Sequence, residues 1–271
     1  MPDTLFDQLA AAITAGRPAV LATAIDGDQA GAKVLVVAPE EGDGLQVTAT
    51  GWTDDQLERA VRRDASAAVT SGATSVRRYG DGGRLEGDAH RVFHEAFVPP
   101  PRLIIFGAVD FSAALARVAK VLGFRVTVCD ARPAFATRAR FPEADEVIVD
   151  WPDRHLAEVG GDLGPRDAVC VLTHDAKFDV PAVVAALTTD VGYLGAMGSR
   201  RTTEDRARRL REAGVTDEGL ARLLAPIGLD LGARTPEETA VAICAEIIAC
   251  QTGRVVPRLR DTDGPIHGLR S

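Results

Sequence analysis

Hydrophobic and polar positions along the chain follow two different patterns, and the change between them falls near residue 100. Beyond it, short apolar runs of strand length alternate with stretches of helical periodicity. The first two strands are predicted at Leu103–Phe106 and Val126–Cys129, with an amphipathic helix between them. Because both runs are almost continuously apolar, they are typical of a parallel sheet whose two faces are covered by helices.

The same alternation continues to about residue 250. Strand and helix follow each other in a βαβ order, which joins parallel strands through helical crossovers. This order predicts a Rossmann-like, doubly wound parallel sheet. The further predicted strands cover residues 146–150, 167–175 and 191–198, and the predicted helices cover residues 180–189, 201–214, 216–224 and 235–250.

The first hundred residues mix the two kinds of element instead. A short helix is predicted at Leu5–Ala15, strand-like runs follow between residues 18 and 50, and a charged helix covers residues 53–69. Thr53 or Asp54 is the expected N-cap of that helix. The mixture predicts a smaller α+β domain in front of the α/β sheet.

A run of three prolines at residues 99–101 separates the two patterns. Successive prolines stiffen the chain and exclude helix, as in a linker between domains. We therefore predict an N-terminal α+β domain over residues 1–97, a Rossmann-like domain over residues 98–254 and a tail over residues 255–271.

Composition narrows the class of protein. The chain has 271 residues, 46% of them hydrophobic, and a net charge of -8. This acidic balance argues against a nucleic-acid partner or an anionic membrane surface, which would require clustered basic residues. No apolar run approaches the roughly 18 residues of a membrane span, and the first ten residues lack the features of a signal peptide.

The four cysteines show no metal-binding spacing. Cys129, Cys170, Cys244 and Cys250 lie in apolar segments, without a C-x-x-C pair. Such cysteines are typical of small buried hydrophobic residues in a reducing compartment, so we expect a cytoplasmic protein.

The turn after the first strand of the parallel sheet departs from the dinucleotide fingerprint G-x-G-x-x-G. Gly107 is present, but Val109 and Ser112 replace the second and third glycines. Asp130, 23 residues after Gly107, is either the acid that holds a ribose hydroxyl or a turn former at a strand end. The pattern predicts a retained fold in which NAD(P) binding is possible but weakened by Val109.

A polar triplet follows the strand near residue 170. Thr173, His174 and Asp175 lie at its carboxyl end, where ligands bind in doubly wound sheets. His174 beside a carboxylate is a candidate general base or metal ligand. The alternative is a turn in which Asp175 caps the next helix.

The stretch GAMGSRRT, residues 195–202, predicts an anion site after the next strand. Glycines, a helix start that Thr202 or Thr203 caps, and two guanidinium groups suit a phosphate or another oxyanion. The alternative is a solvated arginine pair beside a capped helix. The predicted ligand contacts of this stretch are Gly198, Ser199, Arg200 and Arg201.

The stretch PIGLDLGARTPEE, residues 226–238, combines an irregular loop with a strong helix start. Proline at the first helical position and two acids in the first turn favour a helix that begins after Thr235. Asp230 and Arg234 form either a local ion pair or contacts to a ligand or partner chain.

Four motifs in order, PPPRLIIFGA, THD, GAMGSRRT and PIGLDLGARTPEE, resemble the XdhC/CoxI family of accessory proteins of molybdenum hydroxylases. The resemblance implies a homodimer that binds molybdenum cofactor (molybdopterin). It also implies that the protein protects the cofactor while a cysteine desulfurase helps to install its sulfido ligand, and delivers it to the apo-hydroxylase. The residues carried over as cofactor contacts are Gly107, Asp130, Thr173, His174, Asp175, Gly198, Ser199, Arg200, Arg201, Asp230 and Arg234.

Two departures from the family pattern bear on function. Family members commonly have Gly-Ala-Gly-His where this chain has residues 107–110 as Gly-Ala-Val-Asp, and their Gly-Gly-Cys segment has no counterpart in TATGWTDDQ. The chain is therefore expected to be a divergent member. The alternatives are an NAD(P)-dependent oxidoreductase that uses Asp130 and His174, and a non-catalytic scaffold.

Overall fold

The computed structural model describes residues 4–40, 42, 44–84, 90–173 and 175–256. These residues form two compact units, which meet in the sequence between Pro100 and Pro101. The predicted domain boundaries after residues 97 and 254 stay predictions. Of the tail predicted over residues 255–271, all but the first two residues lie outside the described part of the chain.

The N-terminal unit contains two helices and five strands. They are α1 (Leu5–Thr14), β1 (Ala19–Ala24), β2 (Lys33–Val37), β3 (Gln46–Thr50), α2 (Asp55–Ser71), β4 (Ser75–Tyr79) and β5 (His90–Phe97). The strands form an antiparallel sheet in the order β3-β2-β1-β5-β4. Asp54, one of the two expected N-caps of α2, accepts hydrogen bonds from the amides of Gln56 and Leu57.

Alternate residues of the same strands build two cores in this unit. Val34 and Val36 of β2 pack in the cluster that contains α2, whereas Leu35 and Val37 pack in the cluster that contains α1. Because successive strand side chains point to opposite faces, the two helices cover opposite faces of the sheet.

The C-terminal unit alternates strands and helices. Its elements are β6 (Arg102–Phe106), α3 (Asp110–Val121), β7 (Arg125–Cys129), β8 (Glu146–Ile148), α4 (Pro152–Val159), β9 (Ala168–Val171), α5 (Ala176–Leu187), β10 (Tyr193–Ala196), α6 (Arg200–Glu212), α7 (Asp217–Arg222), β11 (Leu223–Leu224) and α8 (Pro236–Thr252). The six strands form a fully parallel sheet in the order β11-β10-β9-β6-β7-β8. The predicted α/β class with a Rossmann-like sheet is confirmed.

The strand order places a topological switch point between β6 and β9. The chain starts in the middle at β6, moves outward through β7 and β8, and then returns to the other side of β6 as β9. Odd and even residues of β6 lie in separate cores, Leu103 and Ile105 in one and Ile104 and Phe106 in the other. Ligands of doubly wound sheets bind at the carboxyl ends of the strands beside such a switch point.

Several details differ from the prediction. The helix predicted over residues 216–224 ends at Arg222, because the two leucines that follow pair with β10 as a short edge strand. The helix predicted over residues 180–189 starts earlier, at Ala176, where Asp175 caps it. Cys250 is exposed, unlike the other three cysteines, because it lies in the last turn of α8, beyond Ile247, which is the last buried residue of that helix.

None of the helices in the described part of the chain is long and apolar enough to cross a membrane.

Candidate functional site

The switch point brings two of the predicted site residues into contact. Gly107 has φ of +112°, and a β-carbon there would lie 2.9 Å from the amide nitrogen of Thr173 and 3.1 Å from the carbonyl carbon of Leu172. Only glycine fits this close approach of two strand ends. Thr173 is buried, and its hydroxyl accepts a hydrogen bond from the amide of Asp175.

The turn into α3 is held together by protein groups. Val109 is the N-cap residue of α3 and makes no side-chain capping bond. Ser112, in the third glycine position of the fingerprint, is fully buried and donates its hydroxyl proton to the carbonyl oxygen of Gly107. The hydrogen bond gives Ser112 a structural role, because it stabilises the turn between β6 and α3.

The carboxylate of Asp130 has its hydrogen-bonding capacity filled within the protein. It accepts hydrogen bonds from the amide of Ala108 (2.8 Å) and from the amide, Nε and Nη2 of Arg132 (3.0, 2.9 and 2.7 Å). Burial by itself raises the pKa of Asp130, but the bonds from Arg132 and Ala108 lower it below the ordinary value. A ribose hydroxyl would have to displace one of these donors, so the NAD(P) alternative gains no support here.

Asp175 serves as the N-cap of α5. Its carboxylate accepts the amide of Lys177 at 3.1 Å and lies 3.3 Å from the ammonium of the same residue. The hydrogen bond from the Lys177 amide lowers the pKa of Asp175. This geometry matches the capping alternative for the triplet, while His174 lies outside the described residues.

The stretch with two arginines starts α6 at Arg200, one residue earlier than predicted. Ser199 is the N-cap and accepts a hydrogen bond from the amide of Thr202 at 3.1 Å, so the expected cap at Thr202 or Thr203 is wrong. Arg200 and Arg201 are therefore in the first helical turn, where both are exposed. Cations at a helix N-terminus oppose the macrodipole, and a bound anion would relieve this unfavourable arrangement.

A buried arginine lies beneath this turn. Arg206 is 2% exposed, and its Nε donates to both carboxylate oxygens of Asp179, at 2.8 and 2.9 Å. Its Nη2 donates to the carbonyl oxygen of Met197 at 2.6 Å. This pair joins α5, α6 and the end of β10, and no sequence motif predicted it.

Two polar atoms of α6 remain unsatisfied in the buried layer. Nη1 of Arg206 and Oγ1 of Thr203 are both buried without a hydrogen-bond partner. Nη1 lies 3.6 Å from the point that a β-carbon of Gly198 would occupy. Because buried polar groups in proteins are almost always paired, unsatisfied atoms under a strand-end turn indicate a place for a water molecule or a polar ligand.

The predicted residues of the last motif lie in an exposed loop before α8. Asp230 and Arg234 do not pair with each other, although both are described, so the local ion pair is excluded in this structure. The amide of Arg234 instead donates to Glu238 at 2.6 Å, within the start of α8. Only the beginning of the loop reaches the strand ends, where the amide of Ile227 donates to the carbonyl oxygen of Ala196.

The register of β9 and β10 brings two of the predicted site residues to the same end of the sheet. Val171 pairs with Ala196, so Thr173 and Gly198 follow neighbouring strands at the same distance from their last ladder pair. The amide of Met197 donates a hydrogen bond to the carbonyl oxygen of Val171 at 2.9 Å, which extends the pairing of the two strands by one residue. The candidate site therefore runs along one edge of the sheet, from Gly107 to the turn before α6.

A second group of residues, which the motifs did not predict as a site, lies on the β7 side of β6. A cleft of about 250 Å³ opens there between the start of α3 and the segment that follows β7. Its signal in the sequence was the stretch RPAFATRAR, residues 132–140, in which three arginines surround a phenylalanine shortly after a strand. The lining residues are Ala108, Val109, Asp110, Arg132, Phe135 and Arg140.

Two curated proteins are similar in sequence to this chain. A protein of Bacillus subtilis, named as a probable subunit of xanthine dehydrogenase, is 36% identical over 157 residues, which is 58% of this chain and 45% of that protein. The Escherichia coli molybdenum cofactor insertion chaperone PaoD is 30% identical over 155 residues, 57% of this chain and 42% of that protein. The chain spans less than half the length of these two relatives.

A solved structure shares the fold of almost the whole chain. A crystal structure described as a xanthine dehydrogenase from Bacillus halodurans has a TM-score of 0.53 and 21% identity, and the match covers 97% of this chain and 98% of that one. The sequence profile described as the XdhC Rossmann domain matches residues 103–247, more than half of the chain, and the protein therefore belongs to the XdhC family.

Proposed function

We propose that this protein is an accessory protein of a xanthine dehydrogenase-type molybdenum hydroxylase, and that it binds molybdenum cofactor at the edge of the sheet formed by β9 and β10. The observation that carries the proposal is the similarity of the Rossmann unit to a relative named as a molybdenum cofactor insertion chaperone. The geometry of the turn before α6 supports the location.

The chemistry of the cofactor suits the groups on that edge. A pyranopterin has a terminal phosphate and a polar bicyclic ring. The exposed guanidinium groups of Arg200 and Arg201, together with the N-terminus of α6, would hold the phosphate. A polar group seated against Gly198 would lie close to the unsatisfied Nη1 of Arg206.

The steps around binding are also proposals. The protein would hold the cofactor while a cysteine desulfurase supplies sulfur, and then pass it to the apo-hydroxylase. The proposed working form is a cytoplasmic homodimer. These assignments draw on the family and on the names of the relatives, and the cofactor is the cargo of the protein in this role.

Replacing both Arg200 and Arg201 with alanine is expected to lower the amount of cofactor that copurifies by at least about tenfold, because two charge-assisted contacts to phosphate are lost. The measurement is the pterin and molybdenum content of the protein purified from a host that makes the cofactor. The matched control is Arg208→Ala with Arg209→Ala, which removes the same charge from the exposed side of the same helix.

Equal cofactor content in the two double variants would exclude the turn before α6 as the binding site. A wild-type protein that binds the apo-hydroxylase but contains no pterin would favour the scaffold alternative. Circular dichroism of both double variants checks that the fold is intact, which we expect because both arginine pairs are exposed.

A further inference from the structure

The cleft between α3 and the segment after β7 has the composition of an anion site. Two arginines and one phenylalanine face it, and the start of α3 forms its opposite wall. It lies at the β6–β7 side of the switch point, whereas the proposed cofactor site lies at the ends of β9 and β10. We propose that this cleft is a second ligand site, which binds the phosphate group of a phosphate monoester.

Arg132 is held in a defined orientation. Its Nε and Nη2 donate to the buried carboxylate of Asp130, and its guanidinium carbon lies 4.6 Å from the ring centre of Phe135. The side chain of Arg132 nevertheless remains 43% exposed. A guanidinium fixed by a carboxylate behind it loses little conformational entropy when its remaining donors bind an anion.

Arg140 reaches the same cleft from the loop before β8. Its Nη1 donates to the carbonyl oxygen of Ala108 at 3.1 Å, and its guanidinium carbon lies 5.7 Å from the centre of the same Phe135 ring. The two arginines thus flank one aromatic ring. Arg140 is bonded directly to the turn after β6, and Arg132 is connected to that turn through Asp130, which accepts a hydrogen bond from the amide of Ala108. This arrangement preorganises two cations for one anionic group.

The two carboxylates that are hydrogen-bonded to these arginines do not cancel this arrangement. Asp130 is buried behind Arg132 and its oxygens are filled. Asp110 pairs with Arg140 at 3.3 Å, but its side chain is 89% exposed. Such an exposed ion pair is weak, so an entering phosphate competes successfully with Asp110.

The shape of the cleft favours a monoester over a dinucleotide. Val109 lines the cleft at the position where a second glycine would admit a pyrophosphate, and Asp130 offers no acceptor to a ribose. A volume of about 250 Å³ accommodates a phosphate with its first attached group and leaves the rest of the ligand outside. A mononucleotide and a pterin with a terminal phosphate both present this chemistry.

The test is isothermal titration calorimetry on the full, cofactor-free chain, with 5′-AMP against adenosine and with an oxidised phosphopterin against its phosphatase-treated form. We expect saturable binding of the phosphorylated probes only. Arg140→Met should raise the dissociation constant at least about tenfold, and Asp110→Asn should lower it about threefold, because the competing carboxylate is gone. Arg154→Met, an exposed arginine of α4, is the matched control and should change nothing.

Failure of every phosphorylated probe to bind would overturn the proposal, as would binding that Arg140→Met and Asp110→Asn leave unchanged. Because Asp110→Asn is expected to strengthen binding, a folding defect in Arg140→Met cannot imitate the full result. Preference for 5′-AMP would identify a nucleotide site, and preference for the phosphopterin would place the phosphate of the cofactor in this cleft instead of at Arg200 and Arg201.

The proposed cofactor function is tested separately from this second site. The Arg200→Ala and Arg201→Ala double variant is expected to bind 5′-AMP as the wild type does, since its substitutions lie at the start of α6 and not in the cleft beside α3. Loss of cofactor content without loss of phosphate binding, or the reverse, tells the two proposals apart.

Discussion

Replacing Arg206 with methionine is expected to lower the free energy of unfolding of the C-terminal unit by about 3–5 kcal/mol. The guanidinium donates two bonds to the buried carboxylate of Asp179 and one to the carbonyl oxygen of Met197. Without it, a charged group stays in a layer from which water is excluded, so the cost is the desolvation of that charge and not the value of one surface ion pair.

Urea denaturation measures this effect, with Arg209→Met as a control on the exposed face of the same helix. The second variant is Arg206→Met together with Asp179→Leu. Replacing a buried ion pair as a whole by apolar residues is often neutral, so the double variant should recover much of the loss. A loss below about 1 kcal/mol in the single variant would show that the pair is not a buried charge pair in solution.

Acid is expected to destabilise the N-terminal unit, by about 3 kcal/mol in total, as the pH falls from about 6.5 to about 4. His94 is fully buried, and burial lowers its pKa from 6.5 to about 4, with Arg77 adding to the shift and Asp64 opposing it. The folded state keeps His94 neutral in this window while the unfolded chain takes up a proton. Stability is therefore complete above pH 6.5 and is lost on the way down to pH 4.

The neighbours of His94 define its protonation. The hydroxyl of Tyr79 donates to Asp64 at 2.9 Å and lies 3.0 Å from Nε2 of His94. We therefore assign the proton of the neutral imidazole to Nε2, which leaves the buried Nδ1 without a partner. Burial raises the pKa of Asp64, but bonds from Tyr79 and Arg63 lower it below the ordinary value, so its own contribution to stability is lost only below the window of His94.

The measurement is the free energy of unfolding at a series of pH values between 4 and 7 for the wild type and for His94→Gln. Glutamine keeps an N–H donor for Tyr79 but does not titrate, so the acid loss should largely disappear. His155→Gln removes a buried imidazole from the other unit and should leave the pH dependence of the N-terminal unit as it was. Identical pH profiles of the wild type and His94→Gln would contradict the assignment.

The pattern of apolar residues predicted most of the architecture. The runs at residues 103–106 and 126–129 became parallel neighbours in the sheet, and the proline-rich stretch at residues 99–101 lies where the two compact units meet in the sequence. These features depend on side-chain periodicity and on proline geometry, both of which are local properties.

Locally ambiguous features were predicted less well. The two leucines at the end of the helix predicted over residues 216–224 joined the sheet, because an open strand edge offered them backbone partners.

The sequence also predicted that the candidate site residues lie at the carboxyl ends of strands, but it left the roles of individual residues open. Asp130 could hold a ribose or form a turn, and only the structure showed four donors on its carboxylate. Asp175 could act with a histidine or cap a helix, and its bond to the amide of Lys177 showed the cap. The alternatives for each residue differ in the hydrogen-bond partner of its side chain. When that partner lies on another helix or strand, the spacing of residues along one strand does not predict it.

By itself, the sequence determined the fold class, the expected edge of the sheet for ligands and the family resemblance, because these follow from periodicity and from contiguous motifs. The tertiary structure decided which charges meet. Arg206 binds Asp179, which lies 27 residues earlier in the chain, and Arg132 and Arg140 both contact the ring of Phe135 in the cleft beside α3. Strand order and helix packing bring these groups together, and their energies depend on the exclusion of water in the folded chain.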